Sequence, residues 1–194
     1  MPPNLQGMAT LPEISDVPRH YPDCCLSLST NLIQQIRQLQ SPASTLISIG
    51  SGSGLLEALI QQQIPQIRTL GLEVSDSVNK YLAPENAIVV KGTWDIYDKS
   101  SEDDTWLFVY PRSPRLVSGY LELSKVPNTV IWLGPRKDWE DFRAPFLAFG
   151  KFKIEEIEDA GLASYEAMFV MRQGNVNSSI DGSTAFSTLQ VDEI

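Results

Sequence analysis

The sequence has little cysteine and histidine: two cysteines, Cys24 and Cys25, and a single histidine, His20, in 194 residues. Because neighbouring cysteines rarely form an unstrained disulfide, we predict that both are free thiols. One histidine and one pair of adjacent cysteines do not provide the ligand spacing of a zinc site, so no metal is predicted.

Basic residues are also few, 15 against 24 acidic ones, which gives a net charge of −9. Nucleic acids and anionic membranes are bound through Lys and Arg, so this balance predicts no nucleic-acid and no membrane partner. No apolar run approaches the roughly 18 residues of a membrane span, and the first residues lack the basic and apolar regions of a secretion signal. These absences together predict a cytoplasmic protein.

The two ends of the chain lack the periodic apolar pattern of helices and strands. Residues 1–23 hold five prolines and are predicted to form an irregular N-terminal arm. Residues 174–194 are rich in small polar residues and are predicted to be a disordered tail. One domain, over residues 24–173, is predicted between them.

Within that domain, short apolar runs alternate with amphipathic segments. A leading helix is predicted over 26–40, where Leu28, Leu32, Ile36 and Leu39 share one face. Strands then alternate with helices, which favours a doubly wound parallel sheet covered on both faces. The strands are predicted at 46–49, 69–74, 87–91, 106–110 and 129–133, and the helices at 55–63, 115–123 and 139–149.

The last two strand-like runs, 152–158 and 165–172, break this alternation because the connection between them is too short for a parallel crossover. They are predicted to form an antiparallel hairpin at the sheet edge. The predicted fold class is therefore α/β, doubly wound, with a mostly parallel seven-stranded sheet and a C-terminal antiparallel hairpin.

Glycines at alternate positions, Gly50, Gly52 and Gly54, are separated by Ser51 and Ser53 between a predicted strand and a helix. Glycine lets the backbone turn tightly and approach a ligand closely. The following helix offers free N–H groups and a positive dipole end. The pattern favours a site for a cofactor that carries carboxylate or phosphate groups, and a turn that binds nothing is the alternative.

An acid, Glu73, ends the next predicted strand, 23 residues after Gly50. In dinucleotide-binding folds a carboxylate at this place accepts hydrogen bonds from the ribose hydroxyls. A solvated acid at a strand end is the simpler interpretation. The combination of glycine loop and acid at this spacing favours nucleoside binding.

The segment Ile47-Ser48-Ile49-Gly50-Ser51-Gly52-Ser53-Gly54 resembles the first motif of class I S-adenosylmethionine (SAM)-dependent methyltransferases, in which apolar residues flank an acid before Gly-x-Gly-x-Gly. The order of predicted elements resembles that family over residues 24–173. The glycine spacing is closer to this family than to the Gly-x-Gly-x-x-Gly of nicotinamide enzymes. The resemblance implies a methyltransferase that uses SAM as its cosubstrate.

The resemblance also implies roles for individual residues. The loop 50–54 would pass under the methionine and ribose of SAM, Glu73 would hold the ribose hydroxyls, and Val74 would pack on the adenine. The loop after the third strand would face the adenine through three residues: Thr93 or Asp95 at the adenine amine, and Trp94 stacked on the ring or, alternatively, part of the core.

Tyr110 and Arg112 follow the fourth strand, at the edge where methyl transfer takes place in the family, and are the predicted acceptor-side residues. Their segment, Tyr110-Pro111-Arg112-Ser113-Pro114, lacks the Asp or Asn of the Asp/Asn-Pro-Pro-Tyr motif of amino methyltransferases. This absence and the acidic net charge disfavour a nucleobase acceptor. Because no inserted lid domain is evident in the sequence, the predicted acceptor is a small molecule or a protein. His20, in the N-terminal arm, is a candidate base or a surface residue.

One position departs from the family pattern, because Ser48 stands where the first motif has an acid. Two outcomes stay open: a methyltransferase with lower affinity for SAM, or a methyltransferase-like protein that binds a partner or nucleoside without catalysis. A nicotinamide-dependent oxidoreductase is a third hypothesis, disfavoured by the glycine spacing and by the lack of a Tyr-x-x-x-Lys pair. The oligomeric state does not follow from the sequence.

Overall fold

The computed structural model describes residues 8–41 and 44–174. Its strands and α-helices follow one another in this order: β1 (Arg19–Tyr21), β2 (Cys24–Leu28), α1 (Thr30–Gln38), β3 (Thr45–Ile49), α2 (Leu55–Gln63), β4 (Arg68–Glu73), β5 (Ala87–Val89), β6 (Thr105–Val109), α3 (Pro114–Leu121), β7 (Thr129–Pro135), α4 (Trp139–Phe149), β8 (Phe152–Ile157) and β9 (Glu166–Gln173).

A seven-stranded sheet forms the centre of the domain, in the order β5-β4-β3-β6-β7-β9-β8. The first five strands in this order are parallel to one another. β9 runs antiparallel between β7 and β8, so the C-terminal hairpin closes one edge of the sheet. The predicted α/β fold class, with its mostly parallel sheet and antiparallel hairpin, is confirmed.

Different helices cover the two faces of the sheet, because successive side chains of a strand point to opposite faces. In β3, Leu46 belongs to the core that includes residues of α1 and α2. Ile47 and Ile49 belong to the core that includes residues of α3 and α4. Strands buried on both faces account for the near-continuous apolar runs in the sequence.

The predicted helix over 26–40 is wrong at its start, since α1 begins at Thr30 and residues 24–28 form β2. β2 pairs antiparallel with β1. Ser29 has an extended backbone, and its Oγ accepts a hydrogen bond from the Leu32 N–H at 3.1 Å, which is the geometry of a helix N-cap. Leu28 fits the helical spacing with Leu32 as well as the strand alternation with Leu26, so periodicity alone does not locate this boundary.

The N-terminal arm, predicted as irregular over residues 1–23, contains the short strand β1. Residues 8–18 carry no helix or strand. Residues 1–7 of the arm and the predicted tail beyond Gly174 lie outside the described residues. Within the described ranges, no helix is long and apolar enough to cross a membrane.

The carboxyl ends of the parallel strands meet at one edge of the sheet, where ligands bind in open α/β folds. The glycine loop follows β3, Glu73 ends β4, and Tyr110 follows β6. β9 is antiparallel, so its first residue, Glu166, lies at the same edge, opposite Pro135 at the end of β7. The topology therefore gathers segments that are distant in sequence.

Candidate functional site

A cavity of about 240 Å³ opens at this carboxyl edge. It is lined by the glycine loop, the ends of β4 and β6, the loop after β5 and the start of β2. Most of the residues predicted to bind the cofactor or the acceptor line it together: Gly50, Ser51, Gly52, Ser53, Glu73, Val74, Thr93, Tyr110 and Arg112.

The glycine loop leaves open space beside its backbone. Gly50 and Gly52 have φ angles of +79° and +57°, which non-glycine residues rarely adopt, and a Cβ at either position would meet no atom within 4 Å. Gly54 differs, because a Cβ there would lie 2.8 Å from the Leu82 Cβ. Gly54 does not line the cavity, and its φ of +77° together with this close contact requires glycine there.

Glu73 is held between the glycine loop and the end of β4. Its Oε2 accepts a hydrogen bond from the Gly52 N–H at 3.0 Å, and its Oε1 accepts one from the Val74 N–H at 2.8 Å. A carboxylate offers about four lone-pair sites, so acceptor capacity remains for two ligand hydroxyls. The side chain is half-buried and lines the cavity.

The loop after β5 contributes Thr93 and Asp95 to the cavity, and Asp95 Oδ2 accepts a hydrogen bond from the Lys91 N–H at 2.8 Å. Trp94 does not line the cavity. Its ring lies against Gly92, and the residue is 79% exposed, which excludes the core alternative. Val74 is also exposed, at 48%, so the predicted adenine end presents apolar surface to solvent.

Acidic side chains outnumber basic ones in the lining of the cavity. Four acidic side chains line it, Asp23, Glu57, Glu73 and Asp95, and Asp23 among them is ion-paired with Lys80. Among the described residues of the lining, Arg112 is the one basic side chain, and it is exposed. Opposite charges attract most strongly where water is excluded, so the cavity favours a positively charged ligand.

No family model and no curated protein sequence matches this chain. Solved structures, however, share its architecture. The methyltransferase domain of bacterial CtHen1 matches with a TM-score of 0.54 and 16% identity, over 74% of this chain and 95% of that one.

A precorrin-6y C5,15-methyltransferase from Geobacter metallireducens matches with a TM-score of 0.57 and 10% identity, over 84% of this chain and 100% of that one. The human N-acetylserotonin methyltransferase, solved in complex with SAM, matches with a TM-score of 0.52 and 11% identity, over 75% of this chain and 51% of that one.

The chain has the class I methyltransferase fold. At these identities the likeness shows the fold alone. The resemblance drawn from the glycine motif and the order of elements is therefore confirmed at the level of the class I fold.

Ser48 occupies the position at which the first motif has an acid, but the carboxylate of Glu57 lies next to it. The Ser48 hydroxyl donates a hydrogen bond to Glu57 Oε1 at 2.5 Å. Glu57 lies in the first turn of α2, is 1% exposed and lines the cavity. Burial raises the pKa of Glu57 to about 7, and the hydrogen bond from Ser48 opposes that rise.

Tyr110 is held by a second buried carboxylate. Its Oη donates a hydrogen bond to Glu166 Oε1 at 2.7 Å. Burial, and then this hydrogen bond, raise the pKa of Tyr110 well above its ordinary value. The phenol therefore stays protonated at neutral pH, and it contributes a neutral hydroxyl to the cavity rather than a base.

Glu166 joins three segments at the cavity edge. Besides Tyr110, its carboxylate accepts hydrogen bonds from the Ser27 N–H at 3.2 Å, from the Ser27 hydroxyl and from the Ala163 N–H at 3.3 Å. Glu166 is 2% exposed, and these bonds satisfy its charge in the interior. The network ties β2 to β9 and to the end of β6.

His20 lies outside the cavity lining. Its Nε2 is 2.5 Å from the Tyr165 Oη, and the two rings stack with centroids 5.9 Å apart on the surface. The part of the chain that the structure describes contains no group of three His, Cys, Asp or Glu residues placed to hold a metal ion.

Sequence reasoning missed Glu57 and Glu166. Neither belongs to a motif, and both would pass for solvated acids in the sequence. The signal at Glu57 is indirect: Ser48 stands where the class I motif has an acid, which is a reason to look for another carboxylate nearby.

Proposed function

We propose that the protein binds SAM in this cavity and transfers its methyl group to a small-molecule or protein acceptor. The observation that carries the proposal is the Glu73 carboxylate, hydrogen-bonded to Gly52 beside a glycine loop that leaves open space. The class I fold supports it, because the three solved structures described above are named as methyltransferases.

The residues present fit the cosubstrate. Glu73 has free acceptor sites for the two ribose hydroxyls. The apolar side chain of Val74 lies next to it for the adenine, with Thr93 in the same lining. The space that a Cβ would fill at Gly50 and Gly52 takes the methionine part.

The acidic lining favours SAM over a nicotinamide dinucleotide. SAM carries a positive charge on its sulfur, whereas the dinucleotide carries a negatively charged pyrophosphate. Glu73 and Asp95 line the cavity as carboxylates, and Arg112 is the one basic side chain among the described residues of the lining, so a pyrophosphate would meet like charges at close range. The oxidoreductase hypothesis is therefore disfavoured on charge as well as on glycine spacing.

When bound, SAM supplies a methyl group that the acceptor attacks in line with the carbon–sulfur bond. The chain's own contribution is to position the acceptor. Tyr110 offers a hydroxyl whose direction is set by Glu166, and Arg112 offers hydrogen-bond donors at the exposed side of the lining. No residue is assigned as the base, since an acceptor that is already deprotonated needs none.

Calorimetric titration with SAM, S-adenosylhomocysteine and NAD tests the proposal. We expect the first two to bind at one site per chain and NAD not to bind. Binding of NAD alone, or of none of the three, would overturn it. A screen of cell extracts with methyl-labelled SAM then separates transfer from binding: SAM binding without any labelled product would favour the catalytically inactive binding protein.

Glu73→Gln provides the matched test of the site. We expect it to weaken binding of S-adenosylhomocysteine by about 1–3 kcal/mol, because charge-assisted hydrogen bonds to the ribose are lost. An analogue without ribose hydroxyls should bind the variant and the wild type equally. Glu140→Gln, which changes an exposed acid of α4, is the control and should bind both ligands as the wild type does.

A further inference from the structure

Glu57 differs from the other acids of the cavity in how its oxygens are satisfied. Asp23, Glu73 and Asp95 each accept hydrogen bonds from the surrounding protein. Glu57 receives one from Ser48 at Oε1, but its Oε2 is buried and has no hydrogen-bond partner among residues 8–41 and 44–174. An unpaired carboxylate oxygen in the interior is costly when the group is ionised.

Within the described part of the chain, the groups that act on Glu57 supply no full positive charge. Burial raises the pKa of Cys24, on β2, to about 12, so its thiol is neutral. Glu73, at the end of β4, is a like charge that raises the pKa of Glu57 further. Ser48, on β3, is a neutral donor. Two contributions favour the ionised form of Glu57: the hydrogen bond from Ser48, and then the backbone N–H at the N-terminal end of α2, whose partial positive charge favours an acid in the first turn.

We propose that Glu57 is the counter-ion for a positively charged group of the ligand, the ammonium of the amino-acid part of SAM. It thereby carries, on α2, the charge that Ser48 does not carry on β3. This inference rests on the proposed function. The ammonium gives the unpaired Oε2 a charge-assisted partner, and Glu57 releases its proton to solvent as the ligand binds near neutral pH.

Ligands with and without the amino-acid part test the proposal. S-adenosylhomocysteine has the ammonium, and 5′-methylthioadenosine lacks the whole amino-acid part. We expect Glu57→Gln to weaken S-adenosylhomocysteine about 10- to 100-fold and to leave 5′-methylthioadenosine within about twofold, since only the first ligand loses a charge pair. The amide is isosteric and still accepts from Ser48, and circular dichroism checks that the variant is folded.

The pH dependence of binding is a second measurement on the wild-type chain. Between pH 5.5 and 7.5 the affinity for S-adenosylhomocysteine should rise about 10- to 30-fold, because the ligand selects the ionised carboxylate. The affinity for 5′-methylthioadenosine should stay flat. Ser48→Ala removes a hydrogen bond that favours ionisation of Glu57, so the increase in affinity should occur at higher pH in this variant. Glu57→Gln should abolish the pH dependence.

Moving the acid back to the strand provides a gain-of-function control. The double variant Ser48→Asp with Glu57→Gln should bind S-adenosylhomocysteine more tightly than Glu57→Gln alone, while Glu140→Gln should behave as the wild type. The inference about Glu57 is wrong if both ligands bind and neither Glu57→Gln nor pH discriminates between them. It is also wrong if Asp23→Asn, rather than Glu57→Gln, weakens S-adenosylhomocysteine and leaves 5′-methylthioadenosine unchanged. If neither ligand binds the wild type, the proposed function itself fails.

Discussion

At the scale of single residues, two glycines of one loop have opposite surroundings. A Cβ at Gly52 would point into open space, whereas one at Gly54 would meet Leu82 at 2.8 Å. Gly52→Ala should cost about 1–2 kcal/mol of stability, for the left-handed backbone alone. Gly54→Ala should cost about 1–3 kcal/mol more, because of overpacking.

Ligand binding tests the open space beside Gly52. Gly52→Val places a branched side chain in the space for the cosubstrate and should abolish binding of S-adenosylhomocysteine in a chain that still folds. Urea unfolding and calorimetry measure the two effects. Equal destabilisation by the two alanine variants, or unchanged affinity in Gly52→Val, would contradict the assignment of the loop.

Glu57 also makes the stability of the free protein depend on pH. Its pKa rises from 4.5 to about 7 on folding, so the folded chain holds this proton more tightly than the unfolded chain. The free energy of unfolding should therefore fall by about 3 kcal/mol as the pH rises from about 4.5 to 7. Urea unfolding of the wild type and Glu57→Gln over this range isolates the contribution, and parallel curves for the two proteins would exclude it.

At the scale of elements, Glu166 fastens the start of the domain to the sheet. Glu166→Gln replaces an acceptor oxygen by an amide donor, so N–H groups of Ser27 or Ala163 lose their partner, at about 1–3 kcal/mol each. Tyr110→Phe removes one donor and leaves the other bonds of Glu166 in place. We expect Glu166→Gln to lower the free energy of unfolding more than Tyr110→Phe does. The opposite order in urea unfolding would contradict this role.

The order of the elements from β3 to α4 could be predicted, and their bounds to within two residues, because the strands are mostly apolar and each helix has one apolar face. The boundary between the first strands and the first helix could not be predicted from the sequence. The change from β2 to α1 depends on the Ser29 cap and on pairing with β1, and the arm predicted as irregular supplies that pairing strand. Leu28 fits both the strand alternation with Leu26 and the helical spacing with Leu32, and tertiary contacts select the strand.

At the scale of the whole molecule, the net charge of −9 predicts a protein that avoids nucleic acid. We expect no saturable binding of single- or double-stranded RNA or DNA at about 10 μM protein and physiological salt, since few phosphate contacts are available. Fluorescence anisotropy with labelled oligonucleotides measures this. Binding that weakens with a steep salt slope would show a local basic surface and would reopen a nucleic-acid acceptor.

The sequence by itself determined the glycine loop and the acid at the end of β4. Both follow from local structure. The positive φ angles at Gly50 and Gly52 favour glycine. Glu73 lies at the carboxyl edge of the sheet because it is the last residue of β4. The same holds for the alternating pattern that builds the sheet.

Only the tertiary structure decided the roles of Glu57 and Glu166. Glu57 lies off the apolar stripe of α2, yet it is buried because β2 and α1 also pack on that helix. Glu166 meets Tyr110 across 56 residues of chain and Ser27 across 139. The sequence does not distinguish a glutamate in water from a glutamate in a buried cavity. Burial distinguishes them, and burial depends on how the chain packs.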